Sequence, residues 1–149
     1  MLSCIFTGFS LVLGKYKTIN NDKAIKLAIE HSDIVTVLTE LNCRTNYKIH
    51  KIAEYMLPEL KEPFYLQHEG RYPQIVIRPA FEVFLPEFTA IKGVNAKDNY
   101  YHSVQMTRFP TRKNKMQNDV HYGLAFSFDG AKAVKAFIKK LVGIVNPEQ

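Results

Sequence analysis

At Phe64 the hydrophobic pattern of this chain changes period, and the change decides which fold class it can reach. Before Phe64, apolar residues recur at three- and four-residue intervals, the spacing that places them on one face of a helix. After it, short runs rich in Val, Ile and Phe alternate with Gly and Pro, as strands joined by turns do. Helices first, strands second and one closing helix predict an α+β fold: an antiparallel β-sheet with helices packed on one face. A chain of 149 residues without internal repeats is expected to form a single domain over residues 1–149. That length buries about two-thirds of the surface of the extended chain.

The opening run, MLSCIFTGFSLVLG, has the apolar length of a secretory signal. It lacks a leading base and a small-x-small cleavage site, and Thr7, Gly8 and Ser10 interrupt it too often for a bilayer span. It reads as a buried strand, with Gly8 at a bulge or close approach. Asn20-Asn21-Asp22 starts a short helix bearing Ile25, Ala28 and Ile29. A second helix, capped by Ser32 or Asp33, carries Ile34, Val37, Leu38 and Leu41, although its β-branched run Ile34–Val37 also suits a strand. Thr45 or Asn46 caps a third, whose stripe is Ile49, Ile52, Ala53, Met56 and Leu60.

Strands are expected at 64–68, 74–78 and 81–85, followed by a loop over 86–99 around Lys92-Gly93. A strand pair at 101–109 and 121–128 comes next. A last helix opens at an Asp129 cap, with Val134, Phe137, Ile138 and Leu141 inward, Lys132, Lys135 and Lys139 outward, and Gly143 just past its end.

Twenty Lys and Arg against fourteen acids leave a net charge of +6, which favours anionic partners. Cys4 and Cys43 stand far apart, too few for a zinc site or a disulfide framework, and reduced thiols fit a cytoplasmic protein. There is no Gly-rich phosphate loop, nucleophile elbow or His-Glu zinc helix, so neither a cofactor, a nucleotide cofactor nor a metal is expected. His50 and Glu54 stand one helical turn apart but lack a third ligand. Glu82, Glu87 and Lys92 loosely follow the acid and lysine layout of metal-dependent nucleases, without the leading aspartate or the tight E-x-K. LTELNCRTNYKIHKIAEYM has the outline of a helix-turn-helix, yet Lys48 falls where that motif needs an apolar residue, and ordinary helix-corner packing explains it better.

The segment Tyr100–Gly123, YYHSVQMTRFPTRKNKMQNDVHYG, holds the functional interest. Bases interleaved with aromatic rings are what a surface needs to neutralise phosphates and stack on bases. The expectation is a small basic protein that binds RNA or DNA, with Arg108, Arg112, Lys113 and Lys115 on phosphates and Tyr101 or Phe109 stacking. The competing reading of the same bases is a solvated loop that keeps the flanking strands soluble.

Strand parity puts Tyr122, Leu124, Phe126 and Phe128 on the core face and His121 on the other, which works against an acid–base pair of His102 and His121. Two alternatives stand beside the binding reading. One is a homodimeric interaction protein with Tyr72, Phe88, Tyr100 and Tyr101 at its surface. The other is a metal-independent nuclease or hydrolase using His102 or His121, its catalytic residues otherwise unknown.

Overall fold

The computed structural model describes residues 29–147. The expected N-terminal strand and nearly all of the helix after Asp22 lie outside that range.

Helix α1 (His31–Glu40) buries Ile34, Val37 and Leu38, so its period outweighs its β-branched composition. Its start is set by Glu30, whose backbone N–H donates to Asp33. Its end is a Schellman turn: Cys43 N–H reaches the Leu38 carbonyl, Asn42 N–H reaches that of Thr39, and Asn42 takes a left-handed φ of 63°.

The third expected helix is not formed. Its residues make β1 (Arg44–Ile49) and β2 (Ile52–Met56), an antiparallel hairpin that turns at His50, where φ is +49°. Of the apolar positions that resembled a helical stripe, Ile52, Ala53 and Met56 belong to a strand buried along its whole length, because β2 has core on both faces, while Ile49 ends β1 and Leu60 lies in the turn that follows. His50 and Glu54 are therefore not helical neighbours, and the helix-turn-helix outline is excluded.

Strands β3 (Pro63–Gln67) and β4 (Gln74–Ile77) extend the meander near the expected positions. Residues 81–85, expected as a strand, instead continue from Pro79 as a 3-10 turn (Pro79–Phe84) and helix α2 (Leu85–Thr89). Proline in the first turn, with Phe81, Phe84, Leu85 and Phe88 packed on the core at helical intervals, accounts for it.

The expected loop over 86–99 thus begins in helix and ends in strand β5 (Val94–Ala96). Of the strand expected at 101–109, only β6 (Tyr101–His102) pairs. Strand β7 (Thr111–Lys113) lies inside the expected basic loop, and β8 (Asp119–Phe128) is the longest strand. Helix α3 (Ala131–Val145) is entered through Gly130 and runs on through Gly143.

The sheet order is β1-β2-β3-β4-β8-β5, with β6 and β7 also paired to β8, and every pairing is antiparallel. All three helices pack on one face. There Phe88, Phe126, Phe128 and Phe137 form an aromatic cluster with ring centroids 4.8–5.5 Å apart. The opposite face is covered by the turns over 103–109, which press Met106 and Phe109 onto Ile52, Tyr65, Val76 and Ala125. Among the described residues the fold is α+β, an antiparallel eight-stranded sheet with helices on one side.

The β7–β8 turn is built by Asn114. Its side-chain carbonyl accepts the N–H groups of Met116 and Asn118 at 2.9 Å each, and its backbone carbonyl accepts that of Gln117. Gln117 sits at φ 63°, where a glycine avoids the Cβ penalty. Gln117→Gly is expected to raise the unfolding free energy by up to about 1 kcal/mol, measured as a higher urea midpoint at unchanged slope.

Candidate nucleic-acid interface

Strand β8 organises the site. β4 pairs with its middle, from Ile75↔Phe126 to Ile77↔Leu124, and stops there. β7 pairs with its beginning, from Thr111↔His121 to Lys113↔Asp119. Lys97 and Ser103 occupy the other edge of β8 through the carbonyls of Ala125 and His121, so β7 lies on the same edge as β4. A break remains between the end of one strand and the start of the other, and a cleft of about 600 Å³ opens at it.

Its β4 side is formed by Arg78, Pro79, Ala80 and Glu82, and its β7 side by Arg108, Phe109 and Pro110. Tyr100 and Tyr122 line it between them, their rings meeting edge to face at 5.0 Å. Arg112 pairs with Val120 and shares its face with Tyr122. Its guanidinium carbon lies 5.2 Å from the Tyr100 ring centroid and 5.5 Å from that of Tyr122, a double cation–π contact.

Carboxylates hold the other two arginines. Arg78 Nε donates to Glu62 at 3.0 Å and Arg108 Nε to Glu54 at 2.9 Å. Each bond uses one of the five N–H donors of a guanidinium. Glu54 is 1% exposed and also accepts from Asn46 Nδ2 at 2.7 Å and from the Tyr65 hydroxyl at 2.6 Å. The Tyr65 oxygen in turn accepts the Arg108 backbone N–H at 3.2 Å. Burial, and then the Glu54 carboxylate that its proton faces, push the Tyr65 phenol well above its ordinary range. Tyr47 adds a hydrogen bond from its hydroxyl to the Gln105 carbonyl. The segment that carries Arg108 is thus tied to β1, β2 and β3.

Glu82 is the acid inside the cleft, and it accepts the Tyr100 hydroxyl. That bond comes first among the causes that raise the Tyr100 phenol above its usual value.

Of the residues expected from sequence, Arg108 lines the cleft, and Arg112 stacks on Tyr100 and Tyr122, two rings that line it. Lys113 lies on the other side of β7, paired across the strands with Asp119 at 2.9 Å, both exposed. Lys115 is exposed in the hairpin turn beside Met116, which is 79% exposed. Tyr101 is half-buried on the other edge of β8, and its hydroxyl donates to Glu69.

Phe109 is 3% exposed, its ring edge-on to Tyr65 at 4.9 Å, so it is a core residue and offers no free face for stacking. Phe88, expected at a surface, is fully buried in the aromatic cluster. His102 stacks with Tyr122 at 6.4 Å, while His121 Nδ1 lies 2.7 Å from the Phe109 carbonyl. The two histidines serve different faces of the sheet.

Arg78 and Glu54 were not expected at the site; Tyr100 and Tyr122 were among the rings interleaved with the bases, but Tyr122 was expected on the core face and neither was chosen for stacking. The signal available was the parity of β8, which puts Tyr122 on one face with Leu124 but does not say where β4 ends.

No group of three or more His, Cys, Asp or Glu among the described residues is placed to hold a metal ion. No helix among them is long and apolar enough to cross a membrane. No family model, curated protein or solved structure matches this chain.

Proposed function

We propose that the protein binds nucleic acid, and single-stranded RNA or DNA in particular, across the β4–β7 cleft and the adjoining basic hairpin. The observation that carries this reading is a cleft lined by Arg78, Arg108, Tyr100 and Tyr122, with Arg112 stacked on both tyrosine rings. Guanidinium forks match phosphate geometry, and aromatic faces accept any base. Lys113 and Lys115 extend the positive surface along the hairpin. The Tyr100 and Tyr122 rings take the stacking role in place of Phe109.

The dimeric alternative has less behind it at the sheet edge. Among the described residues β1 is an outer strand, and its register break between Thr45 and Tyr47, with Arg44 and Lys48, is of the kind that discourages pairing with a second copy. A hydrolase using His102 and His121 together is disfavoured by their separation across the sheet.

The test is fluorescence anisotropy of labelled single-stranded oligonucleotides over a range of salt. Changing Arg112, Lys113 and Lys115 together to Glu is expected to weaken binding at least tenfold, about 1.4 kcal/mol. It should also lower the slope of log affinity against log salt by about 2, roughly 0.7 for each phosphate that is no longer neutralised. Unchanged affinity and slope, in a variant whose circular dichroism matches the parent, would remove the proposal.

A further inference from the structure

We infer that the β4–β7 cleft is a guanine pocket, which reads the Watson–Crick edge of the base with Glu82 and its O6–N7 edge with Arg108. The inference rests on the nucleic-acid reading for the strand that carries the base, and on the cleft for which base is chosen.

Charge decides the class of group that the cleft takes. Arg78 and Arg108 are each matched by a carboxylate, Glu62 and Glu54, and Glu82 adds a third acid. Without a surplus of positive charge the cleft gains little from a phosphate, whose place is along the Lys113 and Lys115 hairpin. A neutral group that is both donor and acceptor suits it better. Hydrogen bonds to an ionised partner are roughly twice as strong as neutral ones, and they need no opposite charge.

The available donors and acceptors then select the base. Arg108 is gripped at Nε by Glu54, and among the described residues its Nη groups have no hydrogen-bond partner. That end-on pair is a fork for two acceptors side by side. Glu82 takes a single donor among the described residues, the Tyr100 hydroxyl, so most of its lone pairs remain for two donors side by side. Guanine alone among the bases offers both, with O6 and N7 as adjacent acceptors and N1–H beside the N2 amine as adjacent donors. Cytosine has adjacent acceptors but one donor group. Adenine and uracil also have only one donor group.

Position agrees with this choice. Glu82 stands on the β4 side and Arg108 on the β7 side, so a base lying between them meets one with each of two edges. Pro79, Ala80 and Pro110 supply apolar walls, and the Tyr100 and Tyr122 rings line the space between the two sides. Its volume of about 600 Å³ falls within the range of small-ligand sites, roughly 300–1,000 Å³. That leaves room for the ribose. Both reading groups are set before the base arrives: Glu54 holds the Arg108 side chain, the Tyr65 hydroxyl holds its backbone N–H, and Tyr100 holds Glu82. Less side-chain entropy is lost on binding as a result. Arg112 stays stacked on the two rings and takes no part.

The test is anisotropy with end-labelled oligouridine whose central residue is kept as U or replaced by G, A, C, inosine, which lacks the N2 amine, or 7-deazaguanine, which lacks N7. Guanosine and adenosine monophosphates are titrated alongside. The G oligonucleotide is expected to bind at least about tenfold tighter than those with A, C or U. Inosine and 7-deazaguanine should each lose most of that advantage. Glu82→Gln, which keeps a partner for Tyr100 but cannot accept both guanine donors, should close the gap between G and inosine. Lys113→Glu combined with Lys115→Glu should weaken every oligonucleotide alike and leave the preference for G.

Equal binding of G, A, C and U overturns the inference and leaves nucleic-acid binding standing. A preference for G that survives both inosine and Glu82→Gln overturns it as well, since Glu82 then reads nothing. Binding of guanosine monophosphate over adenosine monophosphate, with no oligonucleotide bound, removes the nucleic-acid reading and keeps the guanine pocket with a free nucleotide as its occupant.

Discussion

Glu54→Ala is expected to lower the unfolding free energy by about 3 kcal/mol and to loosen the segment that carries Arg108. The side chain sits at the junction of three elements: it accepts from Asn46 on β1, from Tyr65 on β3 and from Arg108 on the crossing segment. Removing it strands the Tyr65 hydroxyl proton in a fully buried position, and an unpaired buried donor costs about 1–3 kcal/mol. The truncated methylene and carboxyl leave a void under the same segment, which adds to the cost. Arg108 contributes less, because its side chain is 56% exposed and recovers water.

Urea denaturation of Glu54→Ala and Glu54→Gln checks the size of the effect. Gln keeps the volume and part of the hydrogen bonding, so it should fall between Ala and the parent. A loss below about 1 kcal/mol for Ala would mean that the network does not hold the segment down. Amide exchange at 105–109 should quicken in the Ala variant more than exchange in α3.

Gly123→Ala is expected to cost about 2–3 kcal/mol for a different reason. Glycine is needed at this position for space, since its φ is not in the left-handed region. A Cβ there would meet the Ile77 carbonyl oxygen at 2.7 Å, Val76 Cγ1 at 2.7 Å and Phe109 Cδ2 at 2.9 Å. Two of these neighbours belong to β4, and the third is a buried ring, so none can swing aside as a surface side chain would. Relief requires β4 and the 108–110 segment to part, which displaces both walls of the cleft. The thermal midpoint should fall by several degrees. A midpoint within about 1 °C of the parent would show that the sheet accommodates the methyl group and that the junction is looser than its packing implies. Gly143→Ala is the control, since a Cβ at Gly143 meets nothing within 4 Å.

The fold class was legible in the sequence because it depends on coarse order. Helix α1, strands β3, β4 and β8, and helix α3 all have the period of the element they form. The errors have physical causes that a period alone does not resolve. β2 is apolar on both faces, so it lacks alternation, and its Ile52, Ala53 and Met56 mimic a helical stripe with Ile49 across the hairpin turn. FEVFL contains a strand-like run of β-formers, but Pro79 starts a helical turn, and the spacing of Phe81, Phe84, Leu85 and Phe88 was the readable sign of it.

At 103–109, Met106 and Phe109 reach the core from successive turns, with Met106 N–H bonded to Ser103 and Phe109 N–H to Met106. A pattern of polar residues around two apolar ones describes a strand equally well. The candidate site was legible as a segment and not as a place. Arg108 and Arg112 could be picked out by charge, whereas Arg78 comes to the cleft beside Arg108 only through the β4–β8 register, a long-range fact.

That register also dictates an order of assembly. β1 to β4 form a local meander whose contacts are all between near neighbours in sequence, so they are available early. The partner of β4 is β8, made much later in the chain, after α2, β5, β6 and β7. Until it arrives, the apolar edge of β4 is an open template for another chain. Synthesis that stalls before Phe128 leaves that edge bare, and the hazard to a cell expressing this protein is then aggregation of the nascent meander rather than loss of the finished fold.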